Sequence, residues 1–440
     1  MKQSMANEAA TRVVITGMGV VAPNAIGLAD FEAALRTGRS GLTFRPEMAE
    51  RNFSCQVAGV PPVSEAHKAA HFSELTLRHL KSSGIMYGTL AGLEAWQDAG
   101  LSLPGEDDEP DWDSGCVFGM GMTGAEVLRD GTLLVDAGKV KRLGSRTIEQ
   151  GMGSGPSAYL GGRLGLGNRV SSNAAACATG TEAILLAAER IQAGLARRMV
   201  AGSCDSQGVY VWGGFDAMRV LNRRHNDDPE GASRPLSATA RGFIPGAGSG
   251  ALLLESLPSA QARGARIYAE VLGGHVNSGG QRQGGSMTAP NPTGVKRCIA
   301  AALQSAGVHP GEIDLVSGHL TATMGDPLEV ANWAEVLGRQ GKDFPYLHSL
   351  KSLIGHCLSA AGSIETVAAV LQLHHGFVHP SRNSEDLHPE VEALVDRSRI
   401  PLQTIATPLR TVAKASFGFG DVNACLVLRG WEKVQSSSKS

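Results

Sequence analysis

The sequence predicts an α/β fold of two similar halves, each a series of β–α units around mostly parallel central strands. Three observations predict it. Short apolar runs alternate along the chain with longer amphipathic ones, at the lengths and periods of strands and helices. The alternation starts afresh near Ala265. The 56 glycines lie inside the periodic segments, where tight strand–helix turns need them, and not in low-complexity tracts.

Residues 12–27 read as a buried strand closed by a Gly/Pro turn, and residues 29–41 as a helix stopped by glycine. Residues 84–101 have the spacing of an amphipathic helix, and residues 114–122 read as a strand with glycines where backbones must approach. A long helical pattern follows Cys177, then a strand at 197–206 and a strand leading into a helix at 246–264. The second half opens with a strand at 265–278. After it come a helix at 294–308, a strand at 313–320, helices at 326–338 and 359–376, and a strand pair across 410–430. The predicted units are an N-terminal half at 12–258, a C-terminal half at 259–432 and a polar tail at 433–440. Residues 281–293 form a polar Gly/Pro loop near the boundary, placed to line the mouth of a site.

Of 440 residues, 42% are hydrophobic and 19% charged, enough apolar material for a large core. A net charge of -2 and the lack of a basic stripe with interleaved aromatics argue against nucleic acid. The seven cysteines are odd in number and form no CxxC pair, which disfavours a disulfide framework or a zinc ribbon. No apolar run nears the roughly 20 residues of a membrane span, and the N-terminus lacks a charged-then-apolar signal pattern. The reading is a soluble protein of a reducing cytoplasm.

Cys177 is the candidate nucleophile. Small residues crowd it from Asn173 to Gly180, so an acyl group could approach closely. A helix starting at the cysteine would aim free N–H groups and the positive dipole end at the sulfur, favouring thiolate. The plain alternative is a buried packing cysteine. Farther on, His319 follows a short apolar strand, and Lys351 and His356 precede a helix. Phe417 and Phe419 sit in a glycine-rich turn. Taken singly, these read as a packing histidine, a solvated charge and core aromatics.

Their order and spacing resemble the elongating, Cys-His-His β-ketoacyl-acyl-carrier-protein synthases, of the thiolase-fold superfamily. The family's H-G-T-x-T-x-x-G-D-x-x-E motif is matched by His319 to Glu329 with one residue fewer between Thr323 and Gly325, and its K-S-x-x-G-H-x-x-x-A-A-G-x-x-E motif runs from Lys351 through His356 to Glu365. S-F-G-F-G is Ser416 to Gly420. Ala232 to Pro235, Arg241 to Phe243 and Gly246 to Gly248 also match, and the resemblance spans about residues 12 to 430. It implies a thiolase-like fold with layers α-β-α-β-α.

The resemblance further implies decarboxylative condensation of a malonyl-type extender with an acyl group held on Cys177. His319 and His356 would offer Nε2–H groups to the enolate, and Lys351 a fixed positive charge with Glu365 as counter-charge. The backbone N–H groups of Cys177 and Phe419 would form the oxyanion hole. Thr321 and Thr323 would bind the pantetheine arm, and Phe215, Phe417 and Phe419 the rest of the substrate. No metal and no resident cofactor are implied, because the phosphopantetheine arrives on an acyl carrier protein. That acidic partner should meet basic residues, Arg219 first, then Arg78 and Lys81; the plain alternative is a solvated helix face. A homodimer is implied, or a heterodimer with a chain-length-factor-like homologue.

Two departures stand out. Leu320 replaces the family glycine after the first histidine, and Gly420-Asp421-Val422-Asn423 replaces Gly-Gly-Thr-Asn. They point to a retuned acyl access and a polyketide- or polyene-type pathway. Housekeeping fatty-acid elongation and a non-catalytic scaffold subunit are the alternatives. A thiolase would need a second cysteine where Ser416-Phe417-Gly418 stands, and a starter-type synthase an asparagine in place of His356.

Overall fold

In the computed structural model, residues 11–122 and 124–431 are described. The polar tail predicted at 433–440 lies outside them.

Ten principal strands build one mixed sheet, with a short strand, Ala25–Ile26, folded back on the first. They are β1 (Val13–Ala22), β2 (Ser114–Met120), β3 (Val170–Ser171), β4 (Arg198–Asp205) and β5 (Gly248–Ser256) in the N-terminal half. The C-terminal half adds β6 (Ala269–Ser278), β7 (Leu315–Ser317), β8 (Tyr346–His348), β9 (Thr411–Gly418) and β10 (Val422–Gly430). Their order is β8-β7-β9-β10-β6-β1-β5-β4-β2-β3. The halves join where Val13–Ile15 of β1 pair with Ala269–Val271 of β6.

The helices that matter are α1 (Leu28–Thr37), α2 (Ser83–Asp98), α3 (Ala125–Asp136), α4 (Thr179–Gln192) and α5 (Val209–Ala217). In the second half they are α6 (Pro292–Ala306), α7 (Asp326–Leu337) and α8 (Ala361–His375). The segment that forms α3 was not singled out from the sequence. Helix α2 covers the outer face of the N-terminal strands, and α6 that of the C-terminal strands. Helices α4 and α8 lie between, touching strands of both halves, which gives the layering α-β-α-β-α.

This layering explains the unbroken apolar runs. Along β5, Leu252 and Leu254 face the central helices while Leu253 faces the outer layer, and all three are fully buried. On β10, Leu426 and Leu428 face inward and Val427 outward.

The expectation of mostly parallel central strands is corrected. Pairs β8–β7, β7–β9, β4–β2 and β2–β3 are parallel, but the middle of the sheet, from β9 through β10, β6, β1 and β5 to β4, is antiparallel. Apolar period gives a strand's faces and not its direction. Direction follows from connections: Gly420, at φ 91°, turns β9 tightly into β10 and forces an antiparallel pair.

The two central helices cross at glycines. A Cβ on Gly180 would lie 2.4 Å from the Ser363 backbone nitrogen, and one on Gly362 2.6 Å from that of Thr181. Gly180→Ala should therefore destabilise the protein by about 1–3 kcal/mol despite alanine's better helix propensity. A urea midpoint equal to that of the wild type would refute the close crossing.

Candidate active site

Cys177 sits in a 3-10 turn, Ala176–Ala178, and α4 starts only at Thr179, two residues later than expected. Ala176 is left-handed at φ 47°. Thr179 holds this bend: its Oγ1 accepts from the Ala175 N–H at 2.8 Å and donates to the Ala176 carbonyl at 2.7 Å. The bend aims the sulfur at two imidazoles. His356 Nε2 lies 3.1 Å from Cys177 Sγ, and the His319 and His356 rings are 5.4 Å apart, edge to face.

Each of these residues adjoins a left-handed, non-glycine residue. Leu320 follows His319 at φ 20°, Leu358 lies two after His356 at φ 52°, and Asp421 lies two after Phe419 at φ 62°. Such strain costs energy and persists only where surroundings enforce it. Here the enforcers are visible. Glu329 of α7 accepts the His319 and Leu320 N–H groups at 2.7 and 2.8 Å. Asp326, one turn earlier, accepts from Thr321, Ala322 and Leu236. The Leu358 N–H donates to His356 Nδ1 at 3.2 Å.

That last bond fixes chemistry. With Nδ1 accepting, the neutral ring carries its proton on Nε2, facing the sulfur. The Phe419 N–H also reaches the sulfur, as Lys351's charge does through space, and all three favour thiolate. Burial opposes them and wins: it pushes the half-buried Cys177 thiol up to about 12, with Asp205 adding to the rise. The expected lowered thiol is therefore corrected for the resting site. Burial first, and then Lys351, hold both histidines well below their usual range, so both are neutral near pH 7. The Cys177, His319 and His356 donor atoms lie within 4.8 Å of one another, close enough for a metal. The protonated Nε2 of His356, however, has no lone pair to give one.

Lys351 and Glu365 form a fully buried ion pair. Lys414 of β9 reaches the other Glu365 oxygen at 2.8 Å. Aromatic rings close the cleft: Phe215 packs on Phe243 at 5.5 Å and Phe419 at 6.0 Å, Phe243 on His356 at 5.2 Å, and Phe417 on His319 at 6.0 Å. Thr321 and Thr323 are half-buried, with hydroxyls 3.0 Å apart. Arg219 is exposed just beyond α5; it, Arg223, Arg224 and Arg241 make no ion pair among the described residues. Its chain neighbour Val220 connects it to the site, for the Phe243 N–H donates to the Val220 carbonyl and the Gly242 N–H to that of Ala322. Arg78 is paired with Glu74, and Lys81 is exposed.

Leu320 and Asp421, which mark the two departures, are both buried. Leu320 is buried in the C-terminal outer core. Asp421 is buried and accepts the N–H groups of Gln281 and Asn291 at 2.9 and 2.8 Å, while Gly420 N–H bonds the Met287 carbonyl. It fastens the polar loop to the Phe419 turn. Val422 is half-buried beside Gly418.

Sequence reading gave no role to Asp326, Glu329, Lys414 or Asp205. The first two were legible as acids three apart on one helix face, following a histidine. Lys414 is a lysine inside an apolar strand, and Asp205 an acid at a strand end. Asp205 is buried, accepts from Ser359 and Ser206, and is pushed up to about 7 by burial.

Residues 10–260 match the sequence model of the beta-ketoacyl synthase N-terminal domain, and residues 268–385 that of the C-terminal domain. The chain is 34% identical over 426 residues to 3-oxoacyl-[acyl-carrier-protein] synthase 1 of Escherichia coli strain K12, covering 95% of this chain and 98% of that protein. It is 34% identical over 431 residues to 3-oxoacyl-[acyl-carrier-protein] synthase 2 of Rhizobium meliloti strain 1021, with the same coverages. Among solved structures, a beta-ketoacyl synthase from Burkholderia phymatum STM815 is similar with a TM-score of 0.87 and 28% identity, covering 96% of this chain and 100% of that one. A type II polyketide ketosynthase, solved with its acyl-carrier protein and bound to a hexaketide, is similar with a TM-score of 0.84, 28% identity and the same coverages.

The other six cysteines are buried, so alkylation by iodoacetamide should fall first on Cys177. With its thiol raised toward 12, the rate should climb about tenfold per pH unit from pH 7 to 10 without a plateau. Peptide mapping at each pH reads both. A plateau near pH 8, or first labelling at Cys204, would contradict the burial argument.

Proposed function

Because the chain belongs to the β-ketoacyl synthase family, of acyl-transferring enzymes, we propose that it joins a malonyl-carrier protein to an acyl group held on Cys177, with loss of carbon dioxide. The chain grows by two carbons. One observation carries this reading: a thiol 3.1 Å from the Nε2–H of His356, whose Nδ1 is held as acceptor by Leu358.

The acyl thioester carbonyl is attacked by the Cys177 sulfur, and the carrier's phosphopantetheine thiol leaves with the proton. The N–H groups of Cys177 and Phe419 receive the oxyanion. The malonyl arm follows, steadied by Thr321 and Thr323 and flanked by Phe215, Phe417 and Phe419. Its carboxylate carbon–carbon bond breaks, carbon dioxide leaves, and the electron pair becomes an enolate at the Nε2–H groups of His319 and His356. The enolate carbon attacks the acyl-Cys177 carbonyl and expels the sulfur. Lys351 and Glu365 support the histidines. Phosphopantetheine comes only as part of the substrate.

The proposed partner is an acidic acyl carrier protein, drawn to Arg219 and the unpaired arginines beside it. The proposed assembly is a dimer, with itself or with a chain-length-factor-like homologue, through the sheet end at β3. A solved ketosynthase/chain length factor is similar at a TM-score of 0.83. The proposed halves divide at residues 258/259. No described helix is long and apolar enough to cross a membrane, and all seven cysteines are free, which supports a reducing cytoplasm.

For the acyl chain, we favour a polyketide- or polyene-type substrate, on the Asp421 clamp of loop 281–291 and the likeness to polyketide ketosynthases. The curated relatives named above favour plain elongation instead. The test offers malonyl-carrier protein with a panel of saturated and polyenyl acyl carriers, read by intact mass. Preference for saturated chains would reject the specialised substrate. Condensation only with a co-expressed homologue would establish a heterodimer. Replacing His319 or His356 by Ala should lower condensation at least about 100-fold while Cys177 acylation survives better. Near-normal condensation by His356→Ala would end the assigned role.

A further inference from the structure

Behind the two imidazoles lies a buried charge cluster larger than a single ion pair. Glu365 offers one oxygen to Lys351 and the other, at 2.8 Å, to Lys414. Lys414 has no exposed surface; besides its ion pair with Glu365, its ammonium donates to the Ala415 carbonyl and, at 2.9 Å, to Ser416 Oγ. Ser416 Oγ lies 2.9 Å from Thr181 Oγ1 on α4, the helix that follows Cys177. Glu329, the acid that holds the His319 backbone, also acts on Lys414 through space. Two lysines thus stand against two buried carboxylates, of which Glu329, raised by burial to about 7, is fully charged only above that pH. Both histidines feel Lys351 and Lys414, whereas the chief cation acting on Cys177 is Lys351.

We propose that Lys414 is a positioning residue for the condensation: it keeps the wall behind His319 and His356 from turning negative as charge develops there. The inference rests on the ketosynthase reading above. When the malonyl carboxylate leaves, its bonding electron pair moves to the thioester oxygen, toward the imidazoles. A fixed cation behind the rings stabilises the displaced charge more than the starting carboxylate, which lowers the barrier of that step. A wall with one lysine against two carboxylates would oppose it. Acylation of Cys177 places its charge at the Cys177 and Phe419 N–H groups instead of at the imidazoles.

Charge arithmetic supplies the test. At pH 8.5, where Glu329 is charged, Lys414→Met leaves one cation against two acids, and adding Glu365→Gln restores the balance. Purified variants are assayed separately for Cys177 acylation, by intact mass, and for condensation with malonyl-carrier protein. We expect Lys414→Met to condense about 10- to 100-fold more slowly, with acylation within about twofold of wild type. We expect the double variant to recover at least about tenfold over the single one. A folded Lys414→Met that condenses at wild-type rate overturns the inference. So does a double variant no faster than the single one, which would mean that Lys414 matters only for packing. If Lys414→Met does not fold, the charge-balanced double variant is compared with wild type, and condensation as slow as that of His356→Ala overturns the inference. A wild-type protein that condenses no acyl carrier sinks the ketosynthase reading, and this inference with it.

Discussion

The close crossing of α4 and α8 at Gly180 and Gly362 is the constraint on which the rest of the molecule depends. Cys177 precedes one helix and His356 the other, in segments 179 residues apart. Only a near contact of the two backbones puts their side chains within 3.1 Å. The same crossing needs small residues on the facing strand. A Cβ on Gly250 of β5 would lie 2.5 Å from the Ile364 nitrogen of α8. Any side chain at these points would push the helices apart and open the site.

Around that crossing, the backbone is held in conformations it would not choose. Left-handed Ala176, Leu320, Leu358 and Asp421 each adjoin a residue with a role in the cleft. The energy to hold them comes from carboxylates and hydroxyls aimed at backbone N–H groups: Glu329, Asp326, Asp421 and Thr179. The acids are buried to do this, and burial raises Glu329 to about 7. Near pH 7 Glu329 is therefore only partly ionised, and the histidines lie beside it. Lysines 351 and 414 answer its charge from the far side of Glu365.

The thiol shows how opposing effects settle. A dipole argument from the sequence favoured thiolate at Cys177, and the expected donors are present. Yet the protein around the sulfur removes more hydration than two N–H groups and a distant ammonium replace, so the resting thiol stays protonated. Access is a separate matter: Cys177 alone among the cysteines is not fully buried.

The candidate site was legible to the extent that chemistry was written in contiguous motifs. His319, Lys351, His356 and Glu365 were legible through the contiguous family motifs they resemble, although they lie on different elements; only Asp326 and Glu329 share a face of one helix, and their role was missed. Lys414 and Asp205 were not legible, since nothing in a strand's period says which neighbour will supply its counter-charge. Leu320 and Asp421 were visible as departures, but their contacts were not, because a loop residue's direction depends on what packs over it. Strand faces, helix lengths and the division into α/β halves follow from apolar period, which is local. Strand direction at the sheet centre, the crossing of the two glycines and the resting state of the thiol were decided only by tertiary structure, for each depends on groups far apart in sequence that meet when the halves close on their shared helices.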